Sequence, residues 1–124
     1  MSFTESKKST SVRRILPRHA FDARVKIEVT RSGEKVVTGG WARDLSESGM
    51  GAFVGTELFL EEMATVRIPL GPDLELAVPA RVVRSLGTEY GFQFLALSPT
   101  QRDQIRRLLA PTKIIPFQPL AERG

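Results

Sequence analysis

Between residues 21 and 30 the chain alternates without a break: Phe21, Ala23, Val25, Ile27 and Val29 are apolar, and Asp22, Arg24, Lys26, Glu28 and Thr30 are polar. A period of two puts one set of side chains on each face of a strand, so this segment must lie on a core with its other face in water. Ser32-Gly33 marks a turn, and a second strand is expected over residues 36–45. Gly39-Gly40 within it predicts a bulge or a close backbone approach. Further strands are expected at 51–54, at 64–70 with Val66, Ile68 and Leu70 on one face, and at 74–84 with Leu74, Leu76, Val78, Ala80 and Val82 on one face. Pro79 has no N–H for a ladder, which predicts a sheet edge or a bulge at that point. After Gly87 a last strand is expected over 90–96, with Tyr90, Phe92 and Phe94 sharing a face. Six short strands joined by glycine-containing turns predict an antiparallel barrel or sandwich.

The pattern then changes period. Ser98-Pro99-Thr100-Gln101 reads as a capping box, with Ser98 as N-cap, proline at the first helical position and Gln101 closing the box. Ile105, Leu108 and Leu109 follow at helical spacing, and Pro111 ends the helix. A helix this short is not stable alone, so it must pack on the strands. The fold class is therefore all-β with one C-terminal helix. A length of 124 residues allows one domain around one core.

The net charge of +4 is unevenly placed. Lys7, Lys8, Arg13, Arg14 and Arg18 face only Glu5 within residues 1–18, and the rest of the chain sums to zero. Residues 1–12 read as a flexible basic arm, 13–110 as the folded domain and 111–124 as a C-terminal tail carrying Ile114, Ile115 and Phe117. A basic arm favours an anionic partner. Cysteine is absent, which removes disulfides, thiolate metal sites and cysteine nucleophiles and fits a reducing, cytoplasmic setting. No apolar run approaches the roughly 20 residues of a membrane span, and no apolar stretch follows the N-terminal lysines as a signal peptide requires.

A single histidine, His19, and no nucleophile–base pattern argue against an enzyme. A strand-tracking oligonucleotide surface needs charge spread over the barrel, and the neutral body argues against that as well. Trp41, the one tryptophan, suits surface or core packing better than stacking on a ligand.

Two motifs remain. Arg14-Ile15-Leu16-Pro17-Arg18 is an RxxxR just ahead of the first strand, and Asp44-Leu45-Ser46-Glu47-Ser48-Gly49 is a DxSxxG at the end of the second. In this order, with Tyr90-Gly91-Phe92-Gln93-Phe94 and a capped basic helix behind them, they resemble the signature of PilZ domains, over roughly residues 13–109. The resemblance implies a six-stranded antiparallel PilZ-type β-barrel of a bacterial protein. It implies binding of the second messenger cyclic di-GMP, without catalysis and without a cofactor, by Arg14, Arg18, Asp44, Ser46 and Gly49. It further implies that Arg13, which doubles the arginine, goes with two stacked ligands per chain, and that a single-domain member signals in trans to a motility, secretion, polysaccharide or transcription component. A PilZ-like adaptor that does not bind the nucleotide is the alternative.

The residue types suit such a ligand. A guanidinium is a planar fork that meets guanine O6 and N7, bridges phosphate oxygens or stacks on a purine. An ionised aspartate accepts from guanine N1–H and N2–H, and a serine hydroxyl donates and accepts. Glycine at position 49 is expected to supply a positive φ or to leave room for the ligand. The arm is expected to order on binding, clamped through Arg14 and Arg18 across the turn at 44–49.

Overall fold

The computed structural model of the chain describes residues 18–111. They form β1 (His19–Arg31), β2 (Glu34–Leu45), β3 (Gly49–Val54), β4 (Met63–Gly71), β5 (Leu74–Leu86), β6 (Glu89–Phe94) and α1 (Pro99–Leu109). The arm at 1–12, Arg13, Arg14 and the tail beyond residue 111 lie outside the described residues, and with them the expected ordering of the arm.

The six strands close into an antiparallel barrel in the order β1-β2-β3-β6-β5-β4. Alternation drives the closure: Val25, Ile27 and Val29 of β1 are buried, as are Val66 and Ile68 of β4 and Leu76, Val78, Ala80 and Val82 of β5. The β1–β2 hairpin turns through Ser32 and Gly33, with φ of 53° and 80°. Two consecutive positive φ values make the type of two-residue turn whose twist matches that of the strands it joins. β1 then closes the barrel onto β4 through Lys26↔Arg67, Ile27↔Val66 and Glu28↔Thr65. From β6, Tyr90, Phe92 and Phe94 all enter the core, and the Tyr90 hydroxyl accepts a hydrogen bond from the Leu58 N–H at 3.1 Å.

α1 packs on the barrel. Ile105 and Leu109 are buried in the core, and the Ser98–Gln101 capping box is complete. Each partner of the box accepts from the other's backbone N–H at 3.0 Å, and the Gln101 amide also donates to Ala77 O at 3.0 Å. Opposite the apolar face, Arg106 and Arg102 reach Glu47 in the β2–β3 turn. The helix is thereby tied to the turn that carries the second motif.

One local expectation needs correction and another is narrowed. Pro79 lies neither at an edge nor at a bulge. The barrel has no edge, and the β5 irregularities fall elsewhere, near Gly71 and between Val82 and Arg84. The Pro79 carbonyl accepts from the Leu95 N–H at 2.9 Å, just past the end of β6. Because N–H and C=O of a strand residue point the same way, the missing donor faces the point where the β5–β6 ladder has already ended. Of the two readings of Gly39-Gly40, the bulge is set aside, since the β1–β2 register runs unbroken from Ala23↔Ala42 to Arg31↔Glu34. Close approach is the reason at Gly40, where a Cβ would lie 3.0 Å from Phe53 O.

Candidate functional site

The site begins with a bulge. Simple alternation along β2 would send Trp41 out, Ala42 in, Arg43 out and Asp44 into the core. The β2–β3 register instead shifts between Ala42↔Ala52 and Asp44↔Gly51. One extra residue re-aims everything after it. Asp44 therefore faces outward over Gly51, and Leu45 turns in to become fully buried. A second bulge, in β5, acts the same way. The register shifts between Val82↔Phe92 and Arg84↔Gly91, which places Arg84 on the outer face over Gly91.

Asp44 is 7% exposed, and a carboxylate so buried requires partners. Arg18, at the foot of β1, supplies a two-pronged one: Nη2 donates to Oδ2 at 2.5 Å and Nε to Oδ1 at 3.3 Å. The Gly51 N–H donates to Oδ1 at 3.1 Å. Of the roughly four lone-pair positions on a carboxylate, one remains open, on Oδ2. Arg18 spends two of its five N–H donors on Asp44 and remains about half exposed. The last arginine of the first motif and the aspartate of the second thus form one unit with donors and an acceptor still to offer.

Ser46 is 3% exposed and has a different task. Its Oγ accepts from the backbone N–H groups of Ser48 (3.1 Å) and Gly49 (3.2 Å) and lies 3.0 Å from Ser48 Oγ. The hydroxyl builds the turn, while Ser48 carries the exposed hydroxyl of the pair. Gly49 does not have a positive φ. A Cβ there would sit 2.2 Å from Phe92 O, so the glycine lets β3 approach β6 and leaves the ligand-clearance explanation unneeded. Trp41 is 44% exposed, beneath the Arg24 guanidinium and with its Nε1 3.4 Å from Asp22, on a different part of the surface.

These residues line one open groove of about 650 Å³, within the usual range for small-ligand sites. Arg18, Asp44, Ser46 and Gly49 all border it, together with Ser48, Gly51, Arg84, Gly91 and Gln93. Arg13 and Arg14 lie outside the described residues. Ser48, Gly51, Gly91, Arg84 and Gln93 border the groove without having been candidates from the sequence. Gly51 and Gly91 carried a signal, as small residues at outward positions of otherwise apolar strands. Arg84 carried none, because only the bulge brings it to this face.

Among the described residues, Glu47 at the tip of this turn holds the helix by its carboxylate. The hydrogen bond from Arg106, aided by the charges of Arg106 and Arg102 and opposed by partial burial, keeps its carboxyl below the ordinary glutamate range. Glu62 is lowered likewise, first by its hydrogen bond from Arg31. For a carboxylate lowered on folding, the stability is present above the unfolded-state pKa and is lost as pH falls through the folded one. The urea midpoint should therefore hold near neutrality and decline from about pH 4.5 downward. Glu47→Gln should be less stable at neutral pH and should show a shallower decline.

No curated protein sequence matches the chain. Among solved structures, it is similar to the PilZ domain of CeSA from a cellulose-synthesizing bacterium (22% identity, 74% of this chain and 93% of that one, TM-score 0.58). It is similar also to the PilZ domain with c-di-GMP of YcgR from Escherichia coli, at 20% identity, 78% of this chain, 88% of that chain and a TM-score of 0.62. A structure of Escherichia coli YcgR in complex with c-di-GMP aligns at 24% identity over 77% of this chain and 44% of that one, with a TM-score of 0.61. The PilZ domain family model matches residues 10–110, spanning both motifs, the whole barrel and the helix, so the chain belongs to the PilZ domain family.

Proposed function

We propose that the chain is a cyclic di-GMP receptor that acts without catalysis, binding through Arg13, Arg14, Arg18, Asp44 and the turn built by Ser46 and Gly49, and signals in trans to a protein partner. The carrying observation is the coupling of the two motifs: Arg18 forks onto Asp44 at the rim of a groove floored by glycine. Two of the similar structures contain c-di-GMP, which supports the same ligand here. The chemistry is that of recognition: unused guanidinium N–H groups for phosphate or guanine O6/N7, and one open carboxylate position for a guanine N–H. Two or three such contacts at about 1–3 kcal/mol each, with phosphate neutralisation, reach the roughly −8 kcal/mol of micromolar affinity.

Calorimetric titration with cyclic di-GMP, against single-stranded DNA as the comparison, tests the reading. Heat and saturation with the dinucleotide alone support it, and silence with excess cyclic di-GMP ends it. Two ligands per chain are expected, because Arg13 adds a guanidinium to meet the four phosphate charges of a stacked pair. Arg13→Leu should lower the endpoint towards one, and a one-to-one endpoint in the unaltered protein would refute the stacked pair.

A further inference from the structure

We infer that Arg84 is an additional ligand-binding arginine, which reads the O6/N7 edge of a guanine at the end of the groove opposite Asp44; this rests on the receptor reading above. Asp44, Gly51, Gly91 and Arg84 form one cross-strand row, through Asp44↔Gly51, Gly51↔Gly91 and Arg84↔Gly91. Three strand spacings separate its ends by about 14 Å. Each end residue is turned outward by its own bulge, and the two positions between them are glycine. The result is a trough with a bare backbone floor, a carboxylate at one end and a guanidinium at the other. A flat base can lie against such a floor, and a ligand with two bases can present one to each end.

The state of Arg84 points the same way. Among the described arginines, only Arg84 and Arg24 have no carboxylate partner, and Arg24 lies over the Trp41 ring. Arg84 rests on Gly91, where a Cβ would come within 3.1 Å of its Nε. Its fork is thus held over the trough with its donors unspent. A fork suits guanine, whose O6 and N7 both accept; adenine presents a donor where guanine has O6.

The test combines Arg84→Ala and Arg84→Lys with cyclic di-GMP and its 7-deaza analogue, which lacks the N7 acceptor. Arg107→Ala, on the exposed face of α1, controls for the loss of one positive charge. Arg84→Ala should weaken cyclic di-GMP binding at least tenfold with an unchanged melting temperature, Arg84→Lys should recover little of it, and Arg107→Ala should bind within twofold of the unaltered protein. The 7-deaza penalty should be smaller on Arg84→Ala than on the unaltered protein. An equal penalty on both overturns the base-edge assignment, and undiminished binding by Arg84→Ala overturns the contact altogether while the receptor reading stands. If the unaltered protein itself does not bind, the receptor reading has failed first. The Arg84 Nε–H resonance of the unaltered protein gives a readout that needs no variant, and it must shift on saturation.

Discussion

Arg18→Ala is expected to weaken cyclic di-GMP binding by more than tenfold and to leave the barrel folded. Arg18 stands outside the core, about half exposed, so its removal takes away no packing volume. It takes away instead both charge-assisted bonds to Asp44 and the donors those bonds hold in position. Asp44 would retain only the Gly51 N–H while remaining largely out of water. That is a costly state for a carboxylate, and a stability loss of about 1–3 kcal/mol is expected. Arg18→Lys should rescue little, because an ammonium keeps the charge and loses the planar fork. Asp44→Asn separates the two roles: it removes the carboxylate's charge while nearly preserving its shape, and it too should bind more weakly. Calorimetry reads the affinity and urea unfolding the stability. Binding within twofold of the unaltered protein for both Arg18→Ala and Asp44→Asn would remove this pair from the site.

The fold was largely legible in the sequence because a strand buried on one side announces itself by period two, and β1, β4, β5 and β6 carry that signal. β2 was placed by its turn instead, and in β3 glycine occupies outward positions 49 and 51, so the strand reads two residues short. Closure was less legible. Pro79 reads as an edge or bulge residue in sequence, but its place at the end of a ladder depends on where its neighbour stops. For the site, the motif residues were visible as motifs, whereas their division of labour was not. Ser46 and Gly49 shape the turn and the β3–β6 approach, while Asp44 and Arg18 face the groove. Both bulges were invisible, since an inserted residue looks like any other until the partner strand fixes the count. Arg84 was hidden for that reason.

Gly49→Ala is expected to cost more stability than any other substitution in the turn, about 2–4 kcal/mol, by forcing apart two strands that have no slack. The added Cβ would meet the Phe92 carbonyl oxygen at 2.2 Å, and that atom belongs to the backbone of β6, with no rotamer to escape into. The neighbouring structure gives little room. Phe94 N–H donates to Ser48 O at 2.8 Å, and Gly49 O accepts the Ser46 N–H at 2.9 Å, so shifting residue 49 strains both bonds. Gly51→Ala makes the contrast. There the nearest atom, at 2.7 Å, is Asp44 Oδ2, the end of a side chain that can rotate away. Gly51→Ala should therefore keep more of the stability and lose the groove, because the displaced carboxylate gives up Arg18 and the Gly51 N–H together. Urea midpoints and cyclic di-GMP titrations on the two variants give a crossed result: the position-49 change dominates unfolding, and the position-51 change dominates binding in protein that remains folded. A Gly49→Ala protein as stable as the unaltered one would mean that β3 and β6 can separate without cost, and the backbone-approach explanation of that glycine would be lost.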